Sequence, residues 1–490
     1  MTWASTRRDF ITHSAAAGVL LACGRTFAQP SDLADLTIED AAGLIRARSI
    51  SPVELTRAYL ERIDDIDRRL NAFITVTRDL ALRQAREMEA ELFNGRWRGP
   101  LHGIPVALKD NIDTAGVLTT AASAAYADRV PTEDAEVARR LKNAGAVLLG
   151  KLNMHELAYG GTSAVTHYDP VHNPWDLDRI PGGSSGGSAA AVSARLCAGA
   201  LGTDTAGSVR IPAAFCGIVG FKPTYGLSSI RGIIPLGVSL DHVGPMCRTV
   251  GDAALMLQVI AGYDSRDIPS IRVPIPDYSS ALYQRTSHLR LGVPRELFYE
   301  DVDGQVLDSV ERALVVLGSM TMSTRDVELP MFSGISPTQV EAYVFHAEYL
   351  EERRDLYEPG ILRRLLTGAE TSAPDYVRAR HSLALARRAI GEVFEKVDLL
   401  VTPTTPILPG PIPGAHDESV NAGPGLAPRN TRPFNHYGIP TISVPCGFSR
   451  EGLPIGLQIS GPRLGELDVL ALAHAYEQAT DWHTQRPSVA

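Results

Sequence analysis

Residues 181–226 read PGGSSGGSAAAVSARLCAGALGTDTAGSVRIPAAFCGIVGFKPTYG, with a loop of glycine and hydroxyl residues on either side of an alanine-rich run. In the first loop, Gly182-Gly183-Ser184-Ser185-Gly186-Gly187, glycine opens backbone paths that a Cβ forbids. The run from Ser188 to Ala200 has the small, helix-favouring composition of a tightly packed buried helix. The second loop, Thr203-Asp204-Thr205-Ala206-Gly207-Ser208, is again built of small residues, around one aspartate. Two serine-bearing loops bracketing a buried helix predict a hydrolytic site with backbone N–H donors beside a serine hydroxyl.

The segments on either side supply an α/β frame. Ile104-Pro105-Val106-Ala107-Leu108 reads as a short buried strand running into Lys109-Asp110-Asn111, where a functional residue belongs. Glu136 to Asn143 reads as a helix closed by Gly145, and Ala146 to Gly150 as another buried strand, a β-α-β rhythm. Nearer the N-terminus, Thr37-Ile38-Glu39-Asp40 and Ser51-Pro52-Val53-Glu54 are helix starts, and a third helix runs from Thr77 to about Phe93 before Asn94-Gly95. Downstream, 265–289 is a proline-rich surface excursion and Leu289 to Val293 a strand. Region 301–395 is mostly helical by periodicity, rich in Arg and Glu, and is where substrate preference is expected to be set. Val397 to Pro403, Thr441 to Pro445 and Pro454 to Ile459 carry strand signals, and Pro406 to Pro428 is a loop long enough to form a lid or pocket wall.

The chain has 490 residues, 44 % of them hydrophobic, and a net charge of −9 from 47 basic and 56 acidic residues. That balance lacks the basic excess of a nucleic-acid binder, so no nucleic-acid partner is expected. Cys197, Cys216, Cys247 and Cys446 show no CxxC spacing and lie in apolar or glycine-rich contexts, which reads as buried thiols rather than a metal site. No metal or other cofactor is implied. At the N-terminus, Ser5-Thr6-Arg7-Arg8-Asp9-Phe10-Ile11 precedes an apolar run to Ala22 and then Thr26-Phe27-Ala28. This resembles a twin-arginine export signal over 1–28, handled by the twin-arginine translocation machinery, with 29–490 as one mature domain working in a bacterial periplasm. The apolar run is too short to span a bilayer. Leu20-Leu21-Ala22-Cys23 offers the alternative of a lipid anchor at Cys23.

The stretch 181–226, followed by LDHVGPMCRTVGD and preceded by GPLHGIPVALKDNIDTAG and GKLNMHELAYG, resembles the signature of the amidase signature family of serine hydrolases. The resemblance extends from about Leu36 to the tail. It implies one mixed, twisted central sheet covered by helices on both faces. It also implies Ser208 as nucleophile, Ser184 as the proton-relaying bridge after a cis Gly183–Ser184 peptide, and Lys109 as base. The N–H groups of Thr205, Ala206, Gly207 and Ser208 would form the oxyanion hole. Ala158, Tyr159 and Gly160 would line the substrate pocket together with Ser184, Ser185 would add a hydrogen bond to the relay, and Asp204 and Arg210 would pair structurally. The chain departs from the family pattern at Ala206, where glycine is usual; if that position needs positive φ, alanine is strained there.

A lysine of ordinary pKa, about 10.4, is neutral in only roughly 4 of 10⁴ molecules at pH 7, too few for an effective base. Burial behind Ile104 to Leu108 is expected to lower it, and Asp110 is expected to point away, because an adjacent carboxylate would raise it. A Ser-His-Asp triad is the competing mechanism, with His102, His155, His242 and His436 available, but none of these histidines sits in a diagnostic nucleophile-elbow context. The glycine loop also lacks the Gly-Lys-Ser/Thr ending of a phosphate-binding loop. The expected activity is hydrolysis of a small-molecule carboxylic amide, with carbamates and esters within reach of the same chemistry. The alternatives are the glutaminase component of a tRNA amidotransferase, which an export signal disfavours, and a non-catalytic binding protein on the same fold. Monomer and homo-oligomer are equally compatible with the sequence.

Overall fold

The strand expected to deliver Lys109 runs Pro105–Lys109 (β2) and lies between Val147–Leu152 (β3) and Gly199–Thr203 (β4), parallel to both. The computed structural model describes residues 33–332, 334–413 and 425–489. The export signal, Cys23 and residues 414–424 of the loop ending at Pro428 lie outside them. In the described residues eleven strands form one mixed sheet. The others are β1 (Phe73–Val76), β5 (Val219–Lys222), β6 (Val243–Cys247), β7 (Arg290–Val293), β8 (Ser323–Asp326), β9 (Leu399–Pro403), β10 (Thr441–Phe448) and β11 (Pro454–Ser460). Across the sheet the order is β1-β3-β2-β4-β6-β5-β10-β11-β9-β7-β8. The β10–β11 pair and the β4–β6 pair are antiparallel, so the sheet is mixed as expected, and helices flank it.

The alanine-rich run does not form one helix. It divides into the helix Gly186–Ser193 and β4, with Arg195 at φ 57° turning the chain between them. Alanine's helix preference is a fraction of a kcal/mol per residue, whereas Gly199–Thr203 gains backbone pairing with β2 on one side and β6 on the other. The small residues serve close packing instead. Every residue of Gly186–Ser193 is buried, and a Cβ at Gly187 would lie 2.3 Å from the Asn153 carbonyl oxygen. This helix begins two residues after Ser184 and so fixes the first loop against the sheet.

The N-terminal helices form as their caps predict. Thr37 accepts the Asp40 N–H at the start of Ile38–Arg46, and Ser51 and Glu54 make a capping box for Pro52–Leu70. Their apolar faces, including Ile45, Leu55, Tyr59 and Ile63, are buried in the main core, each large side chain contributing about 1.5–3 kcal/mol. Region 301–395 holds the helices Gly304–Met320, Thr338–Arg353, Pro359–Glu370 and Ala373–Phe394. It also holds β8, an edge strand of four exposed residues with no apolar alternation to announce it. Cys197, Cys216, Cys247 and Cys446 are free and buried. No helix of the described residues is long and apolar enough to cross a membrane.

Candidate active site

Lys109 is the last residue of β2 and is wholly buried. Its Nζ donates to Ser184 Oγ at 2.7 Å and to Thr203 Oγ1 at 2.8 Å. Burial lowers its pKa to about 7, against the opposing pull of the Asp204 and Asp241 carboxylates. Asp110 points to the other side of the strand: its Oδ2 accepts the Thr120 N–H at 2.8 Å and the Thr120 hydroxyl at 2.5 Å, and Lys151 Nζ lies 3.4 Å from Oδ1. The adjacent carboxylate is thereby occupied away from Lys109.

The Gly183–Ser184 peptide is cis, and Ser184 is fully buried. Ser208 is brought to the same place from the second loop: its carbonyl accepts the Ser185 N–H at 3.2 Å, and it lines a cavity of about 410 Å³ together with Gly183. Ala158, Tyr159 and Gly160 line that cavity, as do Thr205 and Ala206. Ser184, expected at the substrate as well as in the relay, is not among the lining residues. Ser185 is not part of the relay. Its hydroxyl donates to the Thr203 carbonyl at 3.2 Å and accepts the Thr203 N–H at 3.3 Å, so it ties the helix start to the end of β4.

Asp204 shapes the second loop. Its Oδ1 accepts the Gly207 N–H at 2.8 Å and its Oδ2 the Val209 N–H at 3.1 Å. This removes Gly207 from the expected set of oxyanion donors, because its only N–H is already committed. The N–H groups of Thr205, Ala206 and Ser208 have no acceptor among the described residues. The positive φ in this loop falls on Gly207, at 125°, and not on Ala206, so the alanine departure carries no backbone strain. A Cβ at Gly207 would also lie 2.1 Å from Thr431 Oγ1.

Asp204 and Arg210 are both fully buried and pair through two bonds, Nη2–Oδ1 at 2.9 Å and Nε–Oδ2 at 3.0 Å. Burial alone would raise the Asp204 pKa; the Arg210 guanidinium prevails and holds it well below the usual carboxylate range. Arg210 continues to the Thr431 carbonyl, Gln458 Oε1 and Asn435 Oδ1. Removing one member of a buried pair strands the other charge, so Arg210→Met is expected to destabilise the fold by about 3–5 kcal/mol, read as a lowered urea midpoint. The loss should be full above pH ~4, where Asp204 is ionised in the unfolded chain too, and shrink as acid protonates it.

Among the described residues no histidine ring bonds Ser184 or Ser208. The His102 ring contacts the Met88 carbonyl, His155 accepts the Ser163 N–H, and His242 faces the Leu240 carbonyl. His436 lines the cavity, yet its buried Nε2 has no partner. Sequence reasoning missed Thr203, the second acceptor for Lys109; a hydroxyl at the end of an adjacent parallel strand was its signal. It missed Arg364 and Arg432 on the cavity wall as well, and singled out His436 only as a possible triad member. The arginines come from the weakly patterned helical region and from the segment just after Pro428, where spacing reveals no convergence.

A family profile described as Amidase matches residues 54–470. The glutamyl-tRNA(Gln) amidotransferase A subunit of Moorella thermoacetica is 40 % identical over 486 residues, covering 93 % of this chain and 98 % of that protein. Among solved structures, the peptide amidase of Stenotrophomonas maltophilia is similar at 34 % identity and a TM-score of 0.81, over 94 % of this chain and 99 % of that one. The Thermotoga maritima glutamyl-tRNA(Gln) amidotransferase A subunit is similar at 34 % identity and a TM-score of 0.77, with the same shares covered.

Proposed function

Since the chain belongs to the amidase signature family and is a hydrolase of carbon–nitrogen amide bonds, we propose that it cleaves a carboxylic amide through an acyl-enzyme on Ser208. Ser208 Oγ attacks the carbonyl carbon and passes its proton to Ser184, which passes its own to neutral Lys109. The N–H groups of Thr205, Ala206 and Ser208 receive the oxyanion. Collapse expels the amine, which takes the proton back from Lys109 through Ser184, and water releases the acid by the same route in reverse. The observation that carries this reading is the 2.7 Å contact from Lys109 to Ser184, made by a lysine near neutrality beside a cavity that Ser208 lines.

A second reading has specific support. The likeness to the glutamyl-tRNA(Gln) amidotransferase proteins covers almost the whole of both chains. It favours a component that applies the same amide cleavage to glutamine at least as strongly as a free-standing amidase. One experiment separates the two. Ammonia or amine release is measured from primary amides, anilides, carbamates, peptide amides and glutamine, by the chain alone and with glutamyl-tRNA and the partner proteins of such an enzyme. Turnover by the chain alone on several amides supports the free hydrolase; activity on glutamine that appears only with the partners supports the amidotransferase component.

Export through the twin-arginine route, with cleavage after Ala28 or lipidation at Cys23, is a separate proposal resting on the Arg7-Arg8 motif. Fractionation of cells followed by sequencing of the recovered N-terminus decides it: a periplasmic chain beginning at Gln29 is the expected result, and a cytoplasmic chain retaining residues 1–28 overturns it.

A further inference from the structure

The described lining of the catalytic cavity carries charge of one sign only. Arg364 and Arg432 both line it, and no Asp or Glu does among the described residues. Arg364 is anchored: its Nη1 donates to the Tyr159 carbonyl and its guanidinium stacks on the Tyr159 ring with 3.9 Å to the centroid. Only part of its five-donor fork is used there. Arg432 has neither a hydrogen bond nor an ion pair among the described residues. His436, only 7 % exposed, lines the same cavity with an unpartnered Nε2. Burial and the neighbouring Arg432 hold this imidazole near a pKa of about 4, so it is neutral at pH 7 and can donate from one ring nitrogen.

Two carboxylates of the described residues, Asp241 and Glu341, are already engaged elsewhere. Asp241 accepts from Thr205 and from the Leu236 and Gly237 N–H groups. Glu341 accepts from Ser239, Tyr376 and Arg380. Two guanidinium groups therefore line one cavity with no carboxylate paired to either among the described residues. Burial lowers the pKa of Arg364, and the Arg432 cation lowers it further. A bound anion would relieve that repulsion and gain charge-assisted, planar hydrogen bonds of the kind a carboxylate makes with arginine.

We propose that Arg364, Arg432 and His436 form a carboxylate subsite, and that the preferred substrate is an amide whose far end bears a carboxylate and no ammonium group. This rests on the amide-hydrolase reading above and narrows it: glutamine, a zwitterion, would bring an α-ammonium into a cavity whose charged lining groups among the described residues are both cations.

The test uses half-amides of three- to six-carbon dicarboxylic acids, the neutral alkyl amides of matching length, and L-glutamine, which is the five-carbon half-amide with an added ammonium group. Binding to Ser208→Ala protein is measured by titration calorimetry, and turnover with the intact chain. The best half-amide is expected to bind about tenfold or more tighter than its neutral counterpart and than L-glutamine. Arg432→Gln should collapse that ratio towards one, and Arg432→Lys should restore part of it. Arg432 is exposed and unpaired among the described residues, so the variants are expected to keep the parent melting temperature, which is measured beside the binding ratio. Equal affinities for charged and neutral amides overturn the subsite, as does a preference for L-glutamine, which would strengthen the amidotransferase reading. Absence of Ser208-dependent turnover on every amide would count against the hydrolase reading, while the binding ratio decides the subsite independently.

Discussion

Ser208→Ala is expected to lower kcat by about 10⁴- to 10⁶-fold on every amide the protein accepts, the scale seen when the nucleophile of an acyl-transfer site is removed. The fold should not register the change. Ser208 contributes its carbonyl, not its hydroxyl, to the bond with the Ser185 N–H, and alanine keeps that carbonyl. An unchanged melting temperature beside lost turnover is therefore the signature of a chemical role. Covalent labelling by a fluorophosphonate, present in the intact chain and absent in the variant, reads the same site without a substrate. Retained turnover in Ser208→Ala would place the nucleophile on another residue.

The second large effect belongs to Lys109. The base form of lysine is the neutral one, so with a pKa of about 7 the rate kcat/KM should fall about tenfold per pH unit below neutrality and level off above it. Lys109→Met should remove this limb and lower kcat by about 10²- to 10⁴-fold. Arginine in the same place stays protonated, so Lys109→Arg should be no better. Stability should move the opposite way. A lysine whose folded pKa lies below its unfolded one opposes folding, fully so below the folded value and progressively less as pH rises towards the unfolded one. The fall from 10.5 to about 7 opposes folding by several kcal/mol at about 1.4 kcal/mol per pKa unit, more than the roughly 1–3 kcal/mol net value of the two hydrogen bonds lost to Ser184 and Thr203. Lys109→Met is thus expected to melt at or above the temperature of the parent chain at neutral pH. A pH profile that is flat through 7, or a marked loss of stability in Lys109→Met, would remove lysine from the role of base.

The parts of the fold that could be read from sequence were those with local signals. Short apolar runs located β2, β3, β9, β10 and β11, and cap residues located the N-terminal helices, because each needs only a few neighbouring side chains. The alanine-rich run was misjudged because composition cannot tell a helix from a strand whose pairing partners are distant in the chain. The exposed edge strand Ser323–Asp326 left no pattern at all. In the site, the Lys109, Ser184 and Ser208 motifs were visible as loops, and the chain brings Lys109 to Ser184. The commitment of the Gly207 N–H to Asp204 depends on a side-chain orientation, and the convergence of Arg364, Arg432 and His436 depends on tertiary packing; neither leaves a trace in spacing.

The hydrogen bonds of Arg210 have a consequence for the order in which competence arises. The arginine that sets Asp204, and through it the loop bearing Ser208, is held by Thr431, Asn435 and Gln458, more than two hundred residues later. Strands β10 and β11 also enter the interior of the sheet, beside β5, rather than extending its edge. A nascent or truncated chain that stops short of these residues carries every catalytic motif and still lacks the clamp that sets their geometry. Hydrolytic competence is therefore a late event in synthesis, withheld from fragments and reached only when the C-terminal strands have joined the sheet.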